Sequence, residues 1–437
     1  MPGNVRQALG ALAPLVGFAA VTAIVETTPA DVWARLGRQP GFRTLASSRF
    51  RRVIGLLLLV AGLVYLAILL AAVTPAGGFE IDFVAGYRRA SLDLLEGRSP
   101  YLPEQLNGPF PAHGRYGWYL YPPVFAQVLT PLALLPAAVG AILWLLIQAL
   151  MLFVATWLAA SAAGARRSLD RVLWTGVALT FFMPVHEVLW TGNVGGPLAL
   201  SVGALLLARA GDPGRDSRRA LIAGVLAAAA AVIKLAPLAW LPASLRAGGA
   251  LARGSLLGLA ALVVPSLVLV PQAWLDYVRV LLNLVTGDAR YANNLAPAIV
   301  ALNLGLPSSF VDAVRLAAIA STIGLLLVSL RLSRSVHGWP AAVACAVLAG
   351  LLLPAALWYH YLVLLLPLAA FVWVRAALRT RAVLLASGAL ISAGMTVPPL
   401  AAAGAAALAV TLLVGLRPTA QQGATNTAMP IGEPSLA

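Results

Sequence analysis

The chain has 437 residues, of which 61% are hydrophobic and 10% are charged, and its mean hydropathy is +0.89. Runs of about 15–25 apolar residues recur along the whole length, which excludes a soluble globular protein and is typical of a polytopic α-helical membrane protein. The formal net charge of +15 comes from arginines clustered between apolar runs, as the positive-inside bias produces, so it does not indicate nucleic-acid binding.

Cysteine and histidine, the residues that most often form disulfides or bind metals, are scarce in this chain. The one cysteine, Cys345, lies inside an apolar run, and the four histidines are scattered, so neither a disulfide nor a metal site is predicted. The chain also has no phosphate-binding glycine loop, and therefore no cofactor is predicted.

The first 48 residues are predicted to form an N-terminal extension. Its apolar run from 8 to 25 is compatible with a membrane span or with a signal-like segment, and both readings stay open. Six arginines between Arg35 and Arg52 then indicate a cytoplasmic stretch, from which the run 53–73 crosses outward.

A polar loop, residues 75–122, follows this crossing and holds five of the chain's 15 acidic residues. Charged groups are costly inside a bilayer, so the loop is predicted to lie on the external face and to carry the chemistry. Apolar residues at helical spacing over 83–96, followed by Gly97 and Pro100, predict a short helix lying along the membrane surface.

Two later segments have awkward lengths for membrane crossing. Residues 121–160 are broken by Pro131 and Pro136, and residues 221–245 by Lys234, Pro237 and Pro242. Arg166, Arg167 and Arg171 follow the first of them, and their side of the membrane stays open. Broken helices at membrane depth are tolerated where they line a cavity. We predict an all-α, polytopic bundle of about 10–12 spans over residues 49–416, and a disordered cytoplasmic tail at 417–437.

Three residues are candidates for chemistry. Asp82 precedes the predicted helix, so it is either the helix N-cap or a general base that deprotonates an acceptor hydroxyl. Lys234 is the only lysine among 30 basic residues and is predicted either to snorkel or to pair with an anion such as a lipid phosphate. His360 is either an interfacial histidine or a group that orients a phosphate.

Further polar and aromatic residues beside these segments are candidate substrate contacts, with Glu80 also competing as the base. They are Glu80, Tyr87, Tyr121, Asn193, Asn294 and Trp358.

Six stretches in this order resemble glycosyltransferase family 87, which are integral-membrane enzymes of the GT-C class. The stretches are IDFVAGYRRASLDLLEGRSPY, YLYPPVFAQVLTPLALLP, TGNVGGPLAL, AAVIKLAPLAWLP, NNLAPAIVALNLG and LWYHYLVLLLPLAAF. By this resemblance, Asp82 matches the catalytic aspartate of the first external loop, Lys234 a lysine near the lipid phosphate, and His360 the histidine of a Trp-Tyr-His stretch. Tyr361 stands where the family often has a second histidine.

The resemblance implies a GT-C-type bundle and an inverting mannosyltransferase that uses a polyprenyl-phosphate sugar donor and a glycolipid or glycan acceptor. It places the enzyme in a bacterial plasma membrane, with its active site on the periplasmic face. Two alternatives stay open: a transporter or flippase of lipid-linked sugars, and a ligase that moves whole glycans. A transporter favours midplane charges and internal repeats, which this sequence does not show.

Overall fold

The computed structural model describes residues 48–74, 79–108, 118–210, 213–286, 294–353, 356–395 and 397–416. The predicted apolar run at 8–25 and the predicted tail at 417–437 lie outside these ranges. Within them the fold is all-α, as predicted: no strand occurs, and an isolated antiparallel bridge joins Asn294 to Trp358.

The first half of the described chain begins with a long helix and continues through short helices in the polar loop. Its α-helices are α1 (Ser48–Val73), α2 (Arg89–Leu95), α3 (Pro103–Leu106), α4 (Pro123–Ala133), α5 (Ala137–Ala162), α6 (Leu169–Phe181), α7 (Met183–Thr191) and α8 (Gly195–Leu207). A π-helix, Asp82–Arg88, runs directly into α2.

The second half repeats this alternation of long helices and short connecting ones. Its α-helices are α9 (Pro213–Ile233), α10 (Leu241–Ala247), α11 (Gly249–Leu269), α12 (Pro271–Thr286), α13 (Pro297–Asn303), α14 (Ser308–Leu332), α15 (Trp339–Leu352), α16 (Leu365–Arg375), α17 (Leu378–Ala393) and α18 (Pro398–Gly415). Two 3₁₀ helices, Ala236–Trp240 and Tyr359–Leu364, precede α10 and α16.

Five of the described helices, α1, α5, α11, α14 and α18, are long and apolar enough to cross a bilayer. A sixth crossing arises if α6 and α7, which meet at a bend of 75°, count as one broken span. Other apolar helices, such as α4, α8 and α15, are shorter than a bilayer is thick. The chain is therefore a multi-pass membrane protein, and the count of ten to twelve spans stays a prediction.

The broken segment at 121–160 resolves into the short helix α4 followed by the full-length α5. The basic stretch after α5 lies beside the one that begins α1, because Arg52 is ion-paired with Asp170 of α6. The guanidinium of Arg375 also reaches the carbonyl of Ala163, at the end of α5. These three basic stretches therefore share one face of the protein, which removes the alternative that placed residues 166–171 on the opposite side from Arg52.

Close helix packing depends on small residues. Helices α9 and α11 pack so closely that a Cβ at Gly224 would overlap the carbonyl of Leu251, and one at Gly254 would overlap the carbonyl of Leu221. Such contacts let helix backbones approach each other, which is how helices associate inside a membrane, where apolar burial gives little drive.

The polar loop is held against the bundle rather than hanging free. The hydroxyl of Ser99 donates to Asp276 of α12 at 2.7 Å, and the Asn283 amide donates to the Gln105 carbonyl at 2.8 Å. The ring of Tyr101 stacks on that of Tyr277, with 6.2 Å between their centroids. This docking fixes the segment that carries Asp82 and Tyr121.

Candidate active site

Asp82 is the first residue of the π-helix that the polar loop contributes. The preceding Ile81 already has helical φ and ψ angles and makes no capping hydrogen bond, so Asp82 does not act as the N-cap. Its carboxylate is partly exposed and accepts a hydrogen bond of 2.8 Å from Nδ2 of Asn193. The capping alternative is therefore wrong, and the side chain is held for another role.

Asn193 lies in the turn between α7 and α8, within the TGNVGG stretch. Gly192 ends α7 with φ +75°, a left-handed conformation that favours glycine. Its carbonyl accepts from the indole N–H of Trp144 at 2.7 Å, which fixes the turn against α5. A Cβ at Gly192 would overlap the carboxylate of Glu80, so this turn and the polar loop fit together only with glycine here.

Tyr121 joins this aspartate–asparagine pair to the lysine. Its buried hydroxyl accepts from Nδ2 of Asn193 at 3.3 Å, from Nζ of Lys234 at 3.3 Å and from the Tyr87 hydroxyl at 3.0 Å. Burial, followed by the nearby charge of Asp82, raises the pKa of the Tyr121 phenol, so it stays neutral. Asp82, Asn193, Tyr121 and Lys234 thus form one connected chain of polar groups.

Lys234 follows the last residue of α9, where the helix gives way to the 3₁₀ segment. Its ammonium lies over two aromatic rings, 4.0 Å from the ring centroid of Tyr361 and 4.9 Å from that of Tyr121. Aromatic faces attract a cation without supplying a competing anion. The ammonium is thereby held in place while its charge stays available to a ligand.

His360 is buried beside Tyr361, with 4.6 Å between the two ring centroids, which lie edge to face. Its Nδ1 is 3.8 Å from Oε2 of Glu187 on α7. Its Nε2 has no hydrogen-bond partner among the described residues. As the neutral tautomer that carries its proton on Nε2, this imidazole can donate a hydrogen bond to a bound anion.

Four of the predicted substrate contacts lie outside the chain of polar groups that joins Asp82 to Lys234. They are Tyr87, Glu80, Asn294 and Trp358. Tyr87 is buried behind Tyr121 and supports it edge to face. Glu80 is fully buried, with φ +51°, and neither of its carboxylate oxygens has a partner among the described residues. Tyr87 and Glu80 therefore support the site from the protein interior, whereas Asp82 and Lys234 are partly exposed.

Asn294 and Trp358 lie at the bridge between the chain before α13 and the chain before the second 3₁₀ helix. The Asn294 side chain is fully buried, and its Oδ1 accepts from the backbone N–H groups of Ala296 and Leu357 at 3.0 and 2.9 Å. A carbonyl already engaged twice by backbone has a structural role, so the geometry does not support Asn294 as a substrate contact. Trp358 is partly exposed.

The two neighbouring carboxyl groups have different electrostatic surroundings. Burial, and then repulsion from Asp82, raises the pKa of Glu80 to about 9. Burial also raises the pKa of Asp82, but the hydrogen bond from Asn193 and the charge of Lys234 oppose this rise. Glu80 is therefore a neutral acid at pH 7, and Asp82 is the group whose ionised form is specifically stabilised.

Five predicted residues come together here: Asp82, Tyr121, Asn193, Lys234 and His360. Two further residues contact this site without being among the predicted site residues: Tyr361, against the ammonium, and Glu187, against the imidazole. The position of Tyr361 directly after His360 is the sequence signal that indicates its place in the site. Within the described ranges no three His, Cys, Asp or Glu residues are grouped as metal ligands, and the absence of a metal stays a prediction.

Comparison with known proteins identifies the chain over more than half of its length. The family model of glycosyltransferase family 87 matches residues 119–358, which contain Tyr121, Asn193 and Lys234. No curated protein and no solved structure matches the chain. Asp82 precedes the matched range but contacts it through Asn193. The chain therefore belongs to glycosyltransferase family 87 and is a membrane glycosyltransferase.

Proposed function

We propose that the protein transfers a hexose, mannose, from a polyprenyl-phosphate donor to a glycolipid or glycan acceptor, with inversion at the anomeric carbon. The single observation that carries this proposal is the polar chain that joins the Asp82 carboxylate to the Lys234 ammonium through Asn193 and Tyr121. It offers a base and a cation at its two ends, as transfer from a phosphate leaving group requires.

In the proposed reaction, Asp82 takes the proton of the acceptor hydroxyl while that oxygen attacks the anomeric carbon. The bond between this carbon and the phosphate oxygen breaks, and its electron pair leaves with the phosphate. Lys234 neutralises the charge that develops on the phosphate, and His360 donates a hydrogen bond to it from Nε2. Asn193 and Tyr121 hold the carboxylate and the ammonium in position.

Inversion is supported by the burial of Glu80. A retaining mechanism through a glycosyl-enzyme intermediate needs one carboxylate as nucleophile and a second group as acid and base. Glu80 is the neighbouring carboxyl, and it is fully buried with a pKa raised to about 9. A single displacement assisted by Asp82 needs no second exposed carboxylate.

The lipid-linked donor and the external face are supported by the setting of the site. Lys234 lies where a helix breaks among apolar helices, so an anionic phosphate attached to a lipid tail can reach it from the bilayer. The polar loop that carries Asp82 follows a span that starts in a basic stretch, which favours the periplasmic face of a bacterial plasma membrane. Mannose as the sugar rests on the family resemblance.

The test is transfer of labelled mannose from polyprenyl-phosphate mannose by membranes that contain the protein. Asp82→Asn keeps the shape of the side chain but removes the base, and we expect it to lower transfer by about 10²–10⁴-fold. Donor retention should be unchanged, because the phosphate is held by Lys234 and His360. Lys234→Ala should instead weaken donor binding.

Asp93→Asn is the matched control, since Asp93 lies in the same loop and is ion-paired with Arg98 at 2.6 Å, away from Asn193. It should transfer like the wild type. Full activity of Asp82→Asn would refute the assignment of the base. Transfer from a different polyprenyl-phosphate sugar alone would revise the sugar, and failure of the wild type with every such donor would favour the flippase or ligase alternatives.

A further inference from the structure

A cavity of about 460 Å³ opens where α5, α6, α16, α17 and α18 meet. We call it the arginine groove. It has a polar mouth formed by Arg51, Arg166, Ser168, Asp170 and Arg171, and an apolar interior formed by residues of α5, α6, α16, α17 and α18. Its volume lies within the range of about 300–1,000 Å³ that is usual for ligand pockets.

The groove is separate from the site that holds Asp82 and Lys234. Helix α5 runs between them: Trp144 contacts Gly192 at the active-site turn, whereas Ala160 lines the groove. Sixteen helical residues separate these two contacts, about 24 Å along the helix axis. The mouth of the groove lies still further on, at residues 165–171.

The mouth is strongly cationic. Its one acidic residue, Asp170, is already ion-paired with Arg52. Arg171 is held by the end of α5, where its guanidinium donates to the Ala165 carbonyl at 3.1 Å and stacks on the ring of Trp157 at 3.7 Å. These contacts fix the position of Arg171 but involve no acid, so its charge is not neutralised.

Two N–H donors at this mouth have no hydrogen-bond partner among the described residues. They are Nε of Arg171 and Nε1 of Trp174, both shielded from solvent, and both residues line the groove. A buried donor without a partner is destabilising. Because water cannot reach either atom, a ligand oxygen can accept from them only after these side chains turn toward the groove.

The interior is apolar and has room for a hydrocarbon chain. Phe181, Phe182, Trp373 and Leu366 are among the side chains that line it. Gly388 of α17 also lines it, and a Cβ added there would meet no atom within 4 Å. Position 388 therefore faces open space in the interior of the groove.

We propose that the arginine groove binds an anionic phospholipid of the bilayer, with the phosphate at Arg51, Arg166 and Arg171 and one acyl chain in the apolar interior. Charge complementarity favours this occupant: the mouth offers an excess of cations, and the interior offers mainly apolar contact. Each arginine near an anionic headgroup contributes about 1 kcal/mol, or about fivefold in affinity.

The experiment measures phospholipid retained by the purified protein, by native mass spectrometry after exchange into detergent with added phosphatidylglycerol or phosphatidylcholine. We expect the wild type to retain phosphatidylglycerol in preference to phosphatidylcholine. Arg51→Gln and Arg166→Gln should each lower retention about fivefold. Gly388→Leu should lower retention strongly by occupying part of the interior, and the protein should still fold because a Cβ at this position meets no neighbouring atom.

Two matched control variants distinguish lipid binding in the groove from the general effects of a lost charge or of added side-chain bulk. Arg49→Gln removes the same charge from the same helix outside the groove, and Gly324→Leu adds the same bulk at a position of α14 that also faces open space. Both should retain lipid. The proposal would be overturned if Gly388→Leu retained as much lipid as the wild type, or if the wild type retained no lipid or showed no preference for phosphatidylglycerol. It would also be overturned if added polyprenyl phosphate displaced the phospholipid from the protein.

Discussion

The hydrogen bond between Asn193 and Asp82 is the most direct structural determinant of the proposed base. The side-chain amide nitrogen of Asn193 lies 2.8 Å from Oδ2 of Asp82 and stabilises the ionised carboxylate. A hydrogen bond to a charged group contributes about 1.5–3 kcal/mol, so Asn193→Ala should raise the pKa of Asp82 and lower transfer at neutral pH by at most about 150-fold. The cause is a larger fraction of protonated Asp82 rather than a lost contact with substrate.

This cause has a pH signature. The base works when it is deprotonated, so transfer rises with pH through the pKa of Asp82. Burial already raises that pKa, and loss of the Asn193 hydrogen bond raises it further. The midpoint of the rise should therefore move to higher pH in Asn193→Ala, and high pH should restore much of the lost activity.

The assay is transfer of labelled sugar across a series of pH values at saturating donor. Asn283→Ala is the matched control, because it removes an amide hydrogen bond of the same length, to the Gln105 carbonyl, and should leave the midpoint unchanged. A fall in activity with an unmoved midpoint would refute the reasoning, as would wild-type activity at neutral pH.

Three further predictions concern stability, each read from thermal or chemical unfolding of the purified protein. Gly192→Ala should be more costly than Gly97→Ala: both force a non-glycine residue into the left-handed region, at about 1–2 kcal/mol, but only Gly192 then overlaps Glu80. Equal losses would contradict the overlap. Asn294→Ala should cost about 2–6 kcal/mol, because it leaves two buried backbone N–H groups unmatched, and a loss under 1 kcal/mol would argue against that role. Burial raises the pKa of Glu80 from its ordinary 4.5 to about 9, so Glu80 binds its proton more tightly in the folded protein. The contribution of this proton to stability is lost as pH rises between those values. Glu80→Gln should therefore unfold with less pH dependence over that window and be the more stable form at its upper end; identical pH profiles would show that Glu80 is not buried as an acid.

The features that could be predicted from sequence are residues that are unusual in or beside membrane-spanning segments. Carboxylates gathered in one loop, a lone lysine at a broken helix and prolines inside apolar runs each violate the surrounding pattern, and each leads to the site or to a helix break. Asp82 and Lys234 were identified in this way, and so were the short helix ending at Gly97 and the break within residues 121–160.

Features that depend on contacts between distant segments could not be read from the chain. Asn193 and Asn294 had equal standing as amides in predicted external loops, yet one holds a carboxylate and the other holds two backbone N–H groups. Glu80 and Asp82 are two residues apart, and only packing against Gly192 shows that one of them is buried. The arginine groove combines residues of six helices and has no sequence signal beyond its clustered arginines.

The π-helix that begins at Asp82 makes the site sensitive to chain length as well as to side-chain identity. A π-turn contains one more residue than an α-turn, and such turns are rare outside functional sites. Removing one residue between Phe83 and Arg88 would let the segment relax into an α-helix, and each residue of register turns a side chain by about 100° around the axis. Because α2 and the docked loop fix the far end, that rotation would fall on Asp82 and carry its carboxylate away from Asn193. Insertions and deletions in this seven-residue segment are therefore expected to be far less tolerated than substitutions at its exposed positions, Val84 and Ala85.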